Sequence, residues 1–254
     1  MFKKLLNRKT LRKVPEITIF FWIIKLLTTA MGESVSDFLV HHMNPIIAVI
    51  LAALSLIIIL IIQLFVKKYI AWIYWLTASM VAVFGTMAAD AVHIVIGIPY
   101  LFSTIFFAIT LIIIFFIWYK FEKTLSIHSI ITLRKELFYW ATIITTFALG
   151  TAMGDMTAAT FGWGYLLSGI IFGILFILPI IGYKFLKLNE VMTFWLAYII
   201  TRPFGASFAD WFGRTPNLGG IGFGTGKTSL VLIILIIIFI TYLSITRSDT
   251  KKIN

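Results

Sequence analysis

Four long stretches of the 254-residue chain contain no Asp, Glu, Lys or Arg and consist almost entirely of aliphatic and aromatic residues. They are residues 38–66, 91–119, 156–183 and 228–246. Each stretch can hold the roughly 20 apolar residues with which a helix crosses a bilayer. The pattern therefore predicts four membrane helices that have no charged face.

Apolar segments with a few polar residues alternate with these stretches, and they carry one pattern four times. Each copy begins with an aromatic residue and a Trp, and nine intervening residues separate this Trp from a Gly. Three further residues separate the Gly from a small residue, which Asp follows directly. The four copies contain Trp22 with Asp37, Trp75 with Asp90, Trp140 with Asp155, and Trp195 with Asp210. Four of the five Asp residues in the chain fill this one position. The pattern therefore predicts four internal repeats.

Each repeat supplies one motif helix and one chargeless helix. We predict an all-α integral membrane protein of eight transmembrane helices, in which four two-helix repeats run parallel to one another. The first half covers residues 1–119 and the second half 137–246, with a linker at 120–136 and a tail at 247–254. Ionisable groups inside a membrane face protein or water, so the motif helices should surround a common axis while the chargeless helices face lipid.

The net charge of +11 is placed on one side of this topology. Of the 21 Lys and Arg residues, 17 precede the first helix or follow an even-numbered helix. This distribution predicts that both termini lie in the cytoplasm and that the basic residues meet the lipid bilayer rather than nucleic acid. The chain has no cysteine, so neither disulfides nor thiolate metal sites are expected.

The repeated Asp residues are the main candidates for chemistry. Carboxylates that converge at one height repel one another unless a cation, a basic side chain or protonation relieves them. Carboxylates with imidazole suit Mn²⁺, Zn²⁺ or Fe²⁺, and carboxylates with other oxygen ligands suit Mg²⁺ or Ca²⁺. The predicted metal ligands are Asp37, Asp90, Asp155, Asp210, Glu33 and His93. In the alternative interpretation each Asp bonds a neighbouring helix end and acts only as a structural lock.

Lys25 and Arg202 are further charges inside the predicted membrane helices. Each is either a counter-ion for the carboxylates, an anion contact or a tethered cation, or it reaches along the helix to the interface. The four repeated Trp residues, Trp22, Trp75, Trp140 and Trp195, are interfacial anchors, packing wedges or, together, an inner gate. The Gly and small residue of each repeat favour close packing of helices.

Residues 205–211 (GASFADW) and the glycine-rich residues 219–229 resemble a family of uncharacterised bacterial "membrane-anchored" polytopic proteins. Residues 13–16 (KVPE) and 32–37 (GESVSD) resemble the opening motif of the same family. The resemblance covers nearly the whole chain. It implies a repeat-built, multi-pass protein of the bacterial inner membrane, and it implies no activity and no site residues.

The first functional hypothesis is a secondary transporter or exporter of a cation, above all a divalent metal such as manganese. The metal would be the substrate, and no resident cofactor is expected. The alternatives are a cation channel with an acidic ring, and a non-transporting membrane scaffold or sensor in which the repeated Asp is structural. An enzyme is not expected because the sequence contains no nucleophile–base constellation. No oligomeric state is implied.

Overall fold

A computed structural model describes residues 11–94 and 96–250, and this part of the chain forms α-helices and no strand. The eight long helices are α1 (Ile19–His42), α2 (Pro45–Phe65), α3 (Ala71–Ile94), α4 (Tyr100–Glu122), α5 (Leu133–Asp155), α6 (Gly164–Leu186), α7 (Glu190–Gly213) and α8 (Thr225–Thr246). A π-helical turn, Met156–Thr160, continues α5. The prediction of an all-α protein is confirmed.

Among these described helices, seven are long and apolar enough to cross a membrane. The exception is α7, which contains the charged residues Glu190, Arg202 and Asp210. The seven helices make the chain a multi-pass membrane protein. The prediction of eight spans is confirmed for seven helices and stays a prediction for α7.

Polar side chains and basic residues define the ends of several helices. The side chains of Asn44 and Asn189 accept hydrogen bonds from the first backbone N–H groups of α2 and α7. At the other end, Lys123, Lys187 and Arg247 terminate α4, α6 and α8 in the left-handed conformation. A basic residue at a helix C-terminus is favourable because it complements the negative end of the helix dipole.

The four motif helices form a closed ring in the order α1, α3, α5, α7, and α7 packs back against α1. In every repeat the aromatic residue that precedes the Trp contacts the Trp of the following repeat. The ring centroids are separated by 5.6 Å for Phe21–Trp75, 5.7 Å for Tyr74–Trp140, 6.3 Å for Tyr139–Trp195 and 5.7 Å for Phe194–Trp22. The last contact closes the circle, so the arrangement is pseudo-fourfold.

The glycine of each repeat keeps the same register around the ring. A methyl group on Gly32 would lie 2.5 Å from Cβ of Ala82, and one on Gly85 would lie 2.8 Å from Cβ of Phe147. Gly150 faces Arg202, and Gly205 faces Thr29, in the same way. Each partner stands three residues before the glycine of the next repeat. Because equivalent residues meet at the Trp level and again at the Gly level, the four helices run in the same direction.

The chargeless helices form an outer layer. Each packs against the motif helix of the following repeat: α2 on α3, α4 on α5, α6 on α7, and α8 back on α1. Their outward surfaces expose large apolar side chains, such as Ile58 and Phe106. Such continuous apolar surfaces suit contact with lipid. Repeats therefore interlock in a circle, and no repeat is an independent bundle.

A buried polar cluster closes the amino end of the ring, which is the end where the motif helices begin. Lys13 Nζ lies 2.6 Å from Glu136 Oε2, and Gln63 Nε2 donates to Glu136 Oε1 at 2.9 Å. Nearby, buried Asp249 accepts a hydrogen bond from Tyr69. The linker between the halves is shorter than the predicted 120–136, because α4 continues to Glu122 and α5 begins at Leu133. Residues 1–10 and 251–254, with their basic side chains, lie outside the described residues.

Substitution of Gly32 by Ala is expected to lower the free energy of unfolding by about 1–3 kcal/mol, because the added methyl group meets the Ala82 Cβ and backbone. Reversible unfolding in mixed detergent and SDS measures the loss. Gly154→Ala is the matched control, since its methyl group would lie 3.8 Å from Pro203, at ordinary van der Waals distance. Equal stability of the two variants would contradict the close contact between α1 and α3.

Candidate functional site

Arg202 lies at the centre of the ring, where its guanidinium group bonds to the three other repeats. Nη2 donates to Glu33 Oε2 at 2.7 Å and to Thr151 Oγ1 at 2.8 Å, and it also donates to Thr86 Oγ1. Nη1 donates to the Thr29 carbonyl at 3.1 Å. These three side-chain partners each follow the glycine of their own repeat. One side chain of the fourth repeat therefore occupies the axis and ties all four motif helices together.

The sequence places Arg202 at this point through its position in the repeat. It stands three residues before Gly205, at the level where neighbouring motif helices approach most closely. Its side chain is only 1% exposed, so it cannot reach water at either end of α7. A guanidinium group keeps its charge in proteins, and the fork of donors matches several acceptors at once. Arg202 thus permanently balances one carboxylate, Glu33.

A group of carboxylates lies on the carboxyl side of Arg202, one helical turn further along the motif helices. One carboxylate oxygen from each of Glu33, Asp37 and Asp210 lies within 4.8 Å of the others, and all three residues are buried. Arg214, which follows α7, lies 2.9 Å from Asp37 Oδ2 through Nη2 and 2.9 Å from Asp210 Oδ1 through Nε. Repeats one and four are neighbours in the ring, which explains why their Asp residues meet.

Asp90 and Asp155 border this group without a basic partner. Both residues are half-buried, and their charges lie close enough to Glu33 to interact with it. Within the described ranges neither forms an ion pair. When all are ionised, the five carboxylates exceed the charges of Arg202 and Arg214 by three. Such an excess of buried negative charge requires bound protons or a bound cation.

Unpartnered hydroxyl groups accompany the carboxylates. Ser34 and Ser36 on α1 and Ser207 on α7 are buried, and their Oγ atoms have no hydrogen-bond partner among the described residues. They belong to the same turns of the helices as Glu33 and Asp210. Neutral oxygen atoms of this kind complete the coordination of hard cations beside carboxylates. The three carboxylates that meet offer only oxygen ligands, and these serine hydroxyls are further oxygen atoms on the same helices.

His93 lies apart from the three carboxylates that meet. Its Nδ1 is 3.0 Å from the Ile98 carbonyl, its Nε2 is 3.2 Å from Ser103 Oγ, and its ring stacks on Tyr100 with the centroids 4.2 Å apart. These contacts connect the end of α3 with the start of α4. The structure does not bring His93 into the group of carboxylates that meet, because its contacts with Ile98, Ser103 and Tyr100 hold the ring against the start of the outer helix α4.

Lys25 does not reach the membrane interface. Its Nζ atom lies 4.0 Å from the ring centroids of both Phe147 and Tyr198. The residue as a whole is 1% exposed. The same atom has no hydrogen-bond acceptor among the described residues. The interpretation that this side chain extends to the interface is wrong, because aromatic rings of α5 and α7 enclose it.

The four repeated Trp residues lie in one aromatic level at the amino end of the ring. Trp75, Trp140 and Trp195 are buried between motif helices, and Trp22 is half-buried. The Trp195 indole donates to the Leu125 carbonyl at 2.9 Å. Their contacts are those of packing wedges, and together with the preceding aromatic residues they fill the axis below Lys25.

Two residues of the site were not identified from the sequence. Arg214 pairs with two of the repeated Asp residues, and its spacing of four from Asp210 is the signal that indicates an ion pair on one helical face. Phe147 contacts the cations of both Lys25 and Arg202, and it stands at the same repeat position as Arg202. That equivalence, read from the alignment of the four repeats, is the signal for Phe147.

The family described as "Repeat of Unknown Function (DUF347)" matches the chain four times, at residues 20–69, 73–124, 138–188 and 193–249. Each match contains one motif helix and the chargeless helix after it, so the family repeat coincides with the two-helix unit of the ring. No curated protein and no solved structure matches the chain.

Proposed function

The chain belongs to the family of the Repeat of Unknown Function (DUF347), whose description assigns no activity, and we propose from its site that it is a secondary transporter of a divalent cation such as Mn²⁺. The substrate binds among the carboxylates at the carboxyl end of the ring. Transport uses no nucleotide and follows alternating exposure of this site to the two sides of the membrane.

One observation carries the proposal: three carboxylates meet inside a closed helical ring, the half-buried Asp90 and Asp155 border them, and the five together exceed Arg202 and Arg214 by three charges. Buried charges without partners are expensive, and inside a membrane they mark ion pathways more often than structural contacts. Glu33, Asp37 and Asp210 already present oxygens within 4.8 Å of one another. A divalent cation among them would remove most of the excess charge.

The donor set supports the class of cation. Carboxylate and hydroxyl oxygens favour Mg²⁺, Ca²⁺ and Mn²⁺, whereas Zn²⁺ and Cu²⁺ prefer imidazole or thiolate ligands. The chain has no cysteine, and His93 is bonded to Ile98 and Ser103 instead. Mn²⁺ is therefore a suitable probe, with Mg²⁺ and Ca²⁺ as competitors.

The closed amino half of the ring favours a transporter over a channel. A channel needs a continuous path along the axis. Here Arg202, the Phe147 ring and the aromatic level around Trp140 lie in succession on the amino side of the carboxylates. A cation would cross only after these side chains rearrange, which is the behaviour of a carrier.

The proposed orientation of the protein in the membrane is derived from the distribution of its basic residues. Both termini lie in the cytoplasm of a bacterial cell, the protein spans the inner membrane, and the carboxylate group faces the outside in the described conformation. The site would then bind or release cation at the outer surface.

Uptake of Mn²⁺ into proteoliposomes tests the proposal. Protein reconstituted in vesicles that contain a Mn²⁺-quenched dye should give a flux that saturates with Mn²⁺ concentration, because a carrier has a limited number of sites. Ca²⁺ and Mg²⁺ should compete, and protein-free vesicles are the control. A flux that rises linearly and carries current under voltage clamp would favour the channel, and a flux no larger than that of empty vesicles would refute transport of Mn²⁺.

A further inference from the structure

We infer that Lys25 is the proton-binding site that couples cation transport to proton movement, and that a row of tyrosine hydroxyls connects it with the amino end of the ring. The inference rests on the proposed function, since it assigns the coupled ion of the same transporter. It separates the proton site from the cation site, which the carboxylates form.

Within the part of the chain that the structure describes, Lys25 is a buried basic group of the ring without a counter-ion. Arg202 pairs with Glu33, and Arg214 pairs with Asp37 and Asp210. The Lys25 ammonium has only aromatic faces beside it, at 4.0 Å from the Phe147 and Tyr198 centroids. Cation–π contacts stabilise an ammonium ion less than a carboxylate partner does, so both protonation states are accessible.

Arg202 connects Lys25 to the cation site. The Phe147 ring that contacts the Lys25 ammonium also lies 5.4 Å from Cζ of Arg202, so both cations contact the same ring. Arg202 is in turn bonded to Glu33 of the carboxylate group. A metal ion that binds Glu33 would withdraw the negative charge that balances Arg202. The guanidinium charge would then act more strongly on Lys25 and favour loss of its proton.

The charged and titratable neighbours of Lys25 come from α7. Among the described residues, Arg202 is the charged group whose field acts on Lys25, and Tyr198 is the titratable group in contact with it. The α5 residue in contact with the ammonium, Phe147, carries no charge, and no second charged group among the described residues acts on Lys25. Burial inside the ring, together with the charge of Arg202, therefore determines how easily Lys25 holds a proton.

Tyrosine residues occupy successive levels between Lys25, which contacts the Tyr198 ring, and the amino end of the ring. Tyr198 has a buried hydroxyl without a hydrogen-bond partner among the described residues. The hydroxyls of Tyr74 and Tyr139, one level further, are 2.5 Å apart. The Tyr69 ring packs against Tyr74 with the centroids 5.8 Å apart, and its hydroxyl donates to Asp249. The row ends at the side that the basic residues predict to be cytoplasmic.

The proton step involves one N–H bond of Lys25. When the cation binds, this bond breaks, the electron pair stays on nitrogen, and the proton passes to the tyrosine row and leaves at the amino end. When the cation is released, a proton that enters from the carboxyl side of the ring binds the neutral amine, and the nitrogen electron pair forms the N–H bond again. No oxidant, reductant or further reactant is involved.

Proton release on Mn²⁺ binding tests the assignment. Purified protein in weakly buffered detergent receives Mn²⁺, a pH dye counts the protons released, and electron paramagnetic resonance of free Mn²⁺ counts the ions bound. We expect Lys25→Met to bind Mn²⁺ but to release about one proton fewer per bound ion than the wild type. Lys25→Arg should show the same loss while keeping the positive charge, because guanidinium retains its proton. Lys184→Met, which removes an exposed lysine over Phe185, is the matched control.

The outcomes separate the two proposals. Undiminished proton release in Lys25→Met and Lys25→Arg, with Mn²⁺ bound, would overturn the role of Lys25 and leave the cation site intact. Loss of Mn²⁺ binding in both Lys25 variants would also overturn it, because Lys25 would then support the cation site itself. A wild-type protein that binds no Mn²⁺ would overturn the proposed function and the inference together.

Discussion

Replacement of Arg202 by Met is expected to lower the free energy of unfolding by about 3–5 kcal/mol, the range for removing one partner of a buried ion pair. Arg202 and Glu33 are 1% and 3% exposed, respectively. Without the guanidinium group, Glu33 keeps a buried charge with no basic partner at 2.7 Å, and Thr86 and Thr151 lose a donor. Reversible unfolding in mixed detergent and SDS measures the loss.

Two further variants test whether the buried charge is the cause. The double variant Arg202→Met/Glu33→Gln should recover much of the lost stability, since no unpaired charge remains. Arg134→Met is the matched control, because the Arg134–Glu122 pair is partly exposed and pairs of that kind contribute about 0–1 kcal/mol. If Arg202→Met proved as stable as Arg134→Met, the central position of Arg202 in the ring would be refuted.

Substitution of Asp37 or Asp210 by Asn is expected to weaken Mn²⁺ binding by more than about a hundredfold. Both carboxylates belong to the group whose oxygens meet, and loss of even an indirect partner of a metal ligand typically reduces affinity 10- to 100-fold. Isothermal titration calorimetry in detergent measures the affinity. Asp249→Asn is the matched control, since this fifth Asp lies at the amino end, where it accepts a hydrogen bond from Tyr69. Equal weakening in Asp249→Asn, or none in the others, would contradict the assignment.

The unpaired carboxylates distinguish a cation site from a structural lock. Asp90 and Asp155 repel Glu33 and form no ion pair within the described ranges. Their Asn variants should therefore unfold no more easily than the wild type in the absence of metal. A scaffold in which the repeated Asp residues hold helices together requires the opposite result, a clear loss of stability.

The ring could be predicted largely from the repeats. The Trp-to-Asp pattern indicated four parallel two-helix units, and the chargeless stretches indicated the outer layer. The order around the ring was not encoded in the hydrophobic pattern. It depends on which side chains fit beside each glycine, such as Ala82 opposite Gly32, and this fit follows from three-dimensional packing.

The site could be predicted in part. The position of the repeated Asp indicated a shared height, and α1 and α7 bring Asp37 and Asp210 together with Glu33. The sequence could not tell that Arg214 would pair with an Asp from another repeat, because this contact requires the ring to close. The group formed by Glu33, Asp37 and Asp210 is also asymmetric, because Glu33 belongs to repeat one alone and Arg214 to repeat four alone.

The sequence pattern also did not predict that aromatic rings enclose Lys25. A lysine near the predicted inner end of a membrane helix normally extends to the interface. In the ring, Phe147 and Tyr198 come from two other repeats and cover the ammonium group. A cross-repeat contact of this type depends on the register between helices, which a single sequence does not specify.

The central claim is that a divalent cation binds among the carboxylates inside the ring, and anomalous scattering from crystals grown with Mn²⁺ tests it most directly. Data collected at the manganese absorption edge should show one peak about 2.0–2.6 Å from oxygens of Glu33, Asp37 and Asp210. Crystals of Asp37→Asn protein should lack this peak. A map of the wild-type protein without a peak in the ring, or with manganese only at surface residues, would contradict the account.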